Sequence, residues 1–328
     1  MRLPYSELTT YGYDTLNRLT SVLEKQGTTT LFSQNFILNS DGGRASVAES
    51  QRQIDGSPVT GTTTWSYDAL HRLTGESFAS SDTPKNYANT FAYDLSGNRT
   101  KQMHTGPAFG AGDTITFACN GDDQLTKQVS GNGATITNFT YDPNGSQLGS
   151  TGAATSTYTY DVRNKMITAR VGGGQISSYV YNDTGNRVQQ ITGGVTTYYL
   201  TDTQNPTGYA QPLEERSSAT SNPTVTYLTA DRTYGQVDST GAVKYLLTDG
   251  HGSTRLMTNA TGQVVSALNY DAFGGANGFM LGGAPGPFSS RSQIADSWTG
   301  QGGPSHVGDI HQSVRWFFVR SRSAFGVG

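Results

Sequence analysis

The stretch FAYDLSGNRT, residues 91–100, sets a tyrosine, an aspartate, a glycine, an asparagine and an arginine within seven residues. Tyr93, Asp94 and Arg99 read either as a catalytic group or as the two ends of a turn. Repetition decides between them, because internal periodicity has to be found before any motif is interpreted. Close copies begin at Tyr11, Phe36, Trp65, Phe91, Phe117, Phe139, Tyr158 and Tyr179, giving eight units spaced 19 to 29 residues apart. Each opens aromatic-x-(usually Tyr)-(Asp or Asn), then a tight turn, then a basic or amide residue and a Thr/Val-rich run.

Residues two apart in a strand share one face. The paired aromatics therefore lie together, and Asp or Asn ends the strand by accepting bonds from turn N–H groups. Each unit reads as a β-hairpin. The carrying residues are Tyr13, Asp14 and Arg18; Tyr67, Asp68 and Arg72; Tyr93, Asp94, Gly97 and Arg99; Tyr141, Asp142 and Gly145; Tyr160 and Asp161; Tyr181, Gly185 and Arg187.

The units alternate along the chain. In a short form the basic or amide residue lies four after the Asp/Asn, as Arg18, Arg72, Gln124 and Lys165. In a long form it lies five after, as Arg44, Arg99, Gln147 and Arg187. The long form has Gly42, Gly97, Gly145 and Gly185 three after the Asp/Asn, where the short form has Asn17, His71, Asp123 and Asn164. Glycine enters the left-handed region freely, and Asn, Asp and His are the other residues that tolerate it best. Both forms are therefore predicted to be turns with one left-handed residue. The alternation implies a two-hairpin superunit, with Asp and Arg pairing along the turns.

Eight near-copies argue against chemistry, since Leu38 and Cys119 stand where Tyr stands elsewhere and Gln twice replaces Arg. No catalytic residue, metal site or cofactor is assigned. The Asp142–Gln147 and Asn182–Arg187 segments lack the ligand spacing and terminal Glu of a calcium loop. His306 and His311 have no supporting Cys or Glu. The glycines 172–174 read as a turn, because no strand–helix context for a phosphate loop is present. Cys119, the one cysteine, forms no internal disulfide and reads as a small packing residue.

Composition agrees. The chain is 34% apolar and 14% charged, with 18 Tyr and 41 Gly, which suits many strands joined by tight turns. A net charge of −3 gives no attraction to nucleic acid or anionic lipid. No apolar run suits a signal peptide or a membrane span. The fold class is all-β, a repetitive antiparallel hairpin sheet with aromatics on one face and polar residues on the other.

These units resemble the YD repeats of Rhs proteins, WapA-type proteins and teneurins, from residue 11 to about residue 275. Residues 201–215 and 245–274 resemble the approach to the Rhs-repeat-associated core. Asn205 to Tyr209, Asp249 to Arg255, and Tyr270, Asp271 and Phe273 carry that likeness. The sequence DGHGSTR also reads as one more hairpin turn, between strands 243–249 and 253–259.

The resemblance implies a sheet spiralling into part of a hollow YD shell, secreted or at the cell surface. Its expected partners are the rest of the shell and a C-terminal effector. A surface adhesin that stacks cell-surface glycans on exposed aromatics is the alternative. The resemblance divides the chain into eight YD units (1–197), a core-like end (198–275) and a divergent tail (276–328). Some relatives cut themselves at an Asp-Pro-x-Gly-type segment after the core. This chain has no such segment there and departs from the pattern after Gly274, which motivates reading the tail as frameshifted or disordered.

Overall fold

The computed structural model describes residues 2–3, 7–107, 112–131, 133–153, 155–204, 210–230 and 233–273. The tail 276–328 and Asn205 to Tyr209 lie outside the described residues. The eight units are eight hairpins, closing the strands β2 to β17 in pairs after a short β1 (Arg2–Leu3). They are β2 (Glu7–Tyr13) with β3 (Leu19–Gln26), β4 (Thr29–Leu38) with β5 (Arg44–Arg52), and β6 (Pro58–Tyr67) with β7 (Leu73–Ser80). Next come β8 (Tyr87–Tyr93) with β9 (Arg99–Thr105), and β10 (Asp113–Cys119) with β11 (Leu125–Ser130). The last three are β12 (Thr135–Tyr141) with β13 (Gln147–Gly152), β14 (Ser156–Tyr160) with β15 (Met166–Val171), and β16 (Ser177–Tyr181) with β17 (Arg187–Thr192).

The meander continues through β18 (Val195–Asp202), β19 (Gln211–Arg216), β20 (Pro223–Thr229), β21 (Thr233–Asp238), β22 (Val243–Thr248), β23 (Thr254–Asn259) and β24 (Val264–Ala267). Every strand pairs antiparallel with its neighbour in sequence, so the described residues make one long open strip.

The predicted alternation is present. Along β8, Asn89 and Phe91 are buried while Thr90 and Ala92 are exposed. The enclosed face is not purely aromatic, however. Glu24, Gln34, Glu76, Asn89, Gln102 and Gln190 are buried on the strip together with Phe36, Phe91, Tyr158 and Tyr179. The aromatic-in, polar-out expectation therefore needs correcting, because the inner face carries a polar row between its rings.

A feature that residue types do not announce is a β-bulge in each of the eight hairpins. Ala92 pairs with Lys101 but Tyr93 pairs with Arg99, so two residues oppose one. The same shift occurs at Tyr13, Leu38, Tyr67, Cys119, Tyr141, Tyr160 and Tyr181. A bulge bends its strand and increases local twist. Repeated at one end of every hairpin, it curls the strip. The curl lays β22–β24 over β4, where Leu31, Phe32, Leu247, Leu256, Val264 and Ala267 form the main apolar cluster.

Candidate functional site

The turns are built alike. Asp14 Oδ1 accepts the N–H groups of Leu16 and Arg18, both at 2.9 Å. Asp68 accepts those of Leu70 and Arg72 at the same distance. In the long form Asp94 accepts the N–H of Asn98, Asp142 that of Ser146 and Asn182 that of Asn186, each at 2.8 Å. These bonds hold the Asp14, Asp68 and Asp161 carboxyls below the usual range, the largest contribution coming from the N–H four residues on. The residue three after the Asp/Asn is left-handed throughout. Asn17, His71, Asp123 and Asn164 have φ of 59–61°, and Gly42, Gly97, Gly145 and Gly185 have φ of 82–93°.

The two forms therefore differ in side chain, not in turn length. A basic residue four after the Asp stays in the turn, and one five after opens the strand and turns to the aromatic face. Arg18 Nε bonds Asp14 and Arg72 Nε bonds Asp68, each at 2.7 Å. Both then reach the next turn, Arg18 to the Asn39 carbonyl at 3.3 Å and Arg72 to that of Asp94 at 2.8 Å. At Asp161 the partner is Arg163, not the expected Lys165, and Arg163 likewise reaches the Asn182 carbonyl at 3.3 Å.

The long-form arginines correct the expected Asp–Arg pairing. Arg44 lies 4.2 Å over Phe36. Arg99 lies 4.8 Å over Phe117 and 4.4 Å over Phe273. Arg187 lies 5.2 Å over Tyr179 and 5.4 Å over Tyr199. Cation–π stacking of this kind contributes about 0.5–2 kcal/mol each, depending on exposure.

In five of the units the tyrosine before the Asp/Asn locks the unit to the one before it. The hydroxyls of Tyr67, Tyr93, Tyr141, Tyr160 and Tyr181 donate to the carbonyls of Arg44, Leu73, Leu125, Gln147 and Met166, at 2.7–3.0 Å. Each acceptor is the residue that opens the second strand of the preceding hairpin. Burial pushes the Tyr141 and Tyr160 hydroxyls up to about 12. Cys119 and Leu38 carry no hydroxyl and leave two gaps in this series. Tyr160→Phe is expected to lower stability by about 1 kcal/mol, read from the shift in a urea unfolding midpoint. An unchanged midpoint would show the lock to be idle.

A cavity of the strip lies where Asn269 to Ala272 crosses the inner faces of β4–β8. It measures about 180 Å³ and is lined by Glu49, Glu76, Asp249, Asp271, Arg44 and Arg255, among others. Tyr270 and Asp271 thus serve as a strap across the wall, outside the repeating hairpins. The Ala272 N–H bonds Glu76 Oε2 at 3.1 Å, and the Phe273 ring meets Phe91 edge-on at 4.9 Å.

Arg255, like Lys85, is a buried cation of the site. Its Nη2 bonds Glu49 at 3.0 Å and Asn269 Oδ1 at 2.6 Å, and its Nε bonds the Leu268 carbonyl at 3.1 Å. It stacks 5.1 Å over Phe32. Nearby, Gln51 donates to the Arg255 carbonyl at 2.8 Å and to that of Leu268 at 3.1 Å.

Glu76, only 3% exposed, accepts from Trp65 Nε1 at 3.2 Å and Asn89 Nδ2 at 3.3 Å, besides Ala272. Burial and the Asp271 carboxylate push Glu76 up to about 7 against those donors. Asn89 continues the chain to His104 Nδ1 at 2.6 Å, where burial lowers the imidazole.

Sequence reasoning missed Glu49 and Glu76, and it singled out Arg255 only as part of the core-like resemblance, not as the partner of Glu49. A period-2 count could have found Glu76, which lies two before Phe78 and directly opposite Trp65. The sequence DGHGSTR is the expected hairpin turn between β22 and β23. Asp249 accepts the His251 and Ser253 N–H groups at 2.9 and 3.0 Å, and Gly252 is left-handed at φ 82°. The same turn recurs without an aromatic prefix at Asp238–Gly241 and Asn259–Gly262. Among the described residues no group of three His, Cys, Asp or Glu side chains is placed to hold a metal.

The family model described as teneurin YD-shell matches residues 5–277. No curated protein matches the chain. A crystal structure of TcdB2-TccC3 superposes with a TM-score of 0.63 at 16% identity, covering 89% of this chain and 16% of that one. A TcdB2-TccC3-TEV structure superposes at 0.52 with 14% identity, covering 92% of this chain and 16% of that one. At these identities the likeness is one of fold, and the chain spans about a sixth of the length of those structures.

Proposed function

Because this chain belongs to the teneurin YD-shell family, we propose that it is a stretch of wall in a larger Rhs-type shell that encloses a C-terminal effector. One observation carries this reading. The strip curls through a bulge at every hairpin until Arg255 and Gln51 clamp its end to its beginning. A surface curved this far has an inside. The strap reaches Phe273 along that inner face, bound there to Glu76 and Phe91. The proposed wall is non-enzymatic, and it acts outside the cell that makes it. No helix among the described residues is long and apolar enough to cross a membrane.

Electron microscopy and limited proteolysis of the purified parent protein test the reading. A hollow wall around a protease-resistant C-terminal part is expected. An open strip whose C-terminal part is cut freely would overturn it. The adhesin alternative draws less support, because the rings at the repeat positions are mostly covered, Tyr13 at 57% being the most exposed of them. Phe36 lies beneath Arg44, Tyr179 lies beneath Arg187, and tyrosine hydroxyls such as that of Tyr160 are bonded to neighbouring hairpins.

A further inference from the structure

The cavity beneath the strap carries four carboxylates, Glu49, Glu76, Asp249 and Asp271, against three cations, Arg44, Lys85 and Arg255. The cations are engaged. Arg255 holds Glu49 and Asn269, Arg44 covers Phe36, and Lys85 Nζ lies 3.2 Å from Asp82. Glu76 is different. The groups bonded to it are neutral N–H donors of Trp65, Asn89 and Ala272, and the charge acting on it most is that of Asp271.

A second observation points to a ligand at the same place. Gln34 and Tyr270 both line the cavity, and Gln34 Oε1 and the Tyr270 hydroxyl have no hydrogen-bond partner. Gln34 is only 5% exposed, and its amide nitrogen is directed at Glu49 at 3.4 Å, which leaves an oxygen that can only accept. Gln34 Oε1 thus lacks a donor and the Tyr270 hydroxyl lacks a partner, the carboxylates exceed the cations by one, and Trp65, Phe78 and Tyr87 supply aromatic walls. Negative charge, open acceptors and ring faces together suit a donor-rich cation.

We propose that this cavity binds a small organic cation, an alkylammonium or guanidinium group. The space of about 180 Å³ admits one such group with a short alkyl stem. The group is either a free amine or the side chain of a lysine or arginine in a peptide. The proposal rests on the cavity alone and stands apart from the shell reading.

Isothermal titration of the full chain near pH 8 tests it, with n-butylammonium and methylguanidinium as probes and n-butanol as the neutral isostere. The cations are expected to bind at least about tenfold tighter than butanol. Glu76→Gln should remove about tenfold of that preference, with a thermal melt confirming that the variant is folded. Gln34→Leu leaves the charges in place and should weaken cation binding by roughly threefold. It carries the test if Glu76→Gln fails to fold.

N-acetyl-lysine amide and N-acetyl-arginine amide separate the sources. Tighter binding of the amides supports a peptide side chain, and tighter binding of the bare cations supports a free amine. Equal affinity for butanol, absence of binding by every cation, or indifference to both substitutions would overturn the proposal.

Discussion

Arg255→Met is expected to destabilise the chain by about 3–5 kcal/mol, the usual effect of removing one partner from a buried ion pair. The size comes from the charges left behind. Glu49 and Asp249 are both largely buried beside Arg255, at 3.0 and 3.7 Å. Without the guanidinium they would stay in a low-dielectric site facing one another's charge. The Leu268 carbonyl and the Asn269 side chain would also lose a donor.

The pair itself adds little net stability, since desolvation offsets most of the attraction between buried charges. The double variant Arg255→Met/Glu49→Leu should therefore recover the Glu49 share of the loss, with the share due to Asp249 remaining. Urea unfolding of the two single variants and the double variant reads this directly. If the double variant is as unstable as the sum of the singles, Arg255 is not acting through Glu49. The slope of the transition carries further information. Loss of the clamp should release the curled end, so less surface would be exposed on unfolding and the slope should fall.

The second large effect is a pH dependence. Glu76 titrates near 4.5 when unfolded and is pushed up to about 7 in the fold. A raised carboxyl favours the protonated folded state. Its stabilisation is complete below pH 4.5 and is lost as pH rises through 7. At about 1.4 kcal/mol per unit, the window amounts to roughly 3 kcal/mol.

His104 works in the opposite sense. Burial lowers it, so its contribution is present above the unfolded imidazole value of 6.5 and lost on acidification. The turn aspartates Asp14, Asp68 and Asp161 are also lowered, and theirs is lost only as pH falls below the ordinary carboxylate value of 3.8.

Comparison with Glu76→Gln separates these terms, because the other groups are common to both proteins. The advantage of Glu76→Gln over the unsubstituted chain should grow from about pH 5 to pH 8 and approach 3 kcal/mol. A difference that stays flat with pH would show that Glu76 is not the titrating group.

The parts of this fold that could be read from sequence are those set by local backbone demands. A left-handed residue three after an Asp or Asn admits few side chains, so Gly97 and Asn17 announce the same turn from different units. The hairpins come with it, because aromatic pairs two apart mark a face. The parts that could not be read depend on pairing geometry or on distance along the chain.

The bulge opposite Tyr93 leaves no residue-type mark, since Arg99 and Thr100 are ordinary strand residues. The difference between Arg18 and Arg99 was visible as spacing. Its meaning, one side chain in the turn and the other over rings, needed the register. The clamp between Glu49 and Arg255 joins residues 206 apart, which no periodicity reports.

The tyrosine locks all point one way. Each hydroxyl reaches back to the hairpin made before it, and none of these five reaches forward. Every strand finds its partner next in sequence, so the chain needs nothing still unmade in order to add a hairpin. Such a strip has an arrow. On strand pairing alone it can zip up from the first hairpin as residues emerge from a ribosome, with Tyr67, Tyr93, Tyr141, Tyr160 and Tyr181 each latching the hairpin before. Pulled from its C-terminal end, it would give way one hairpin at a time in reverse order, a ratchet that releases its length in steps.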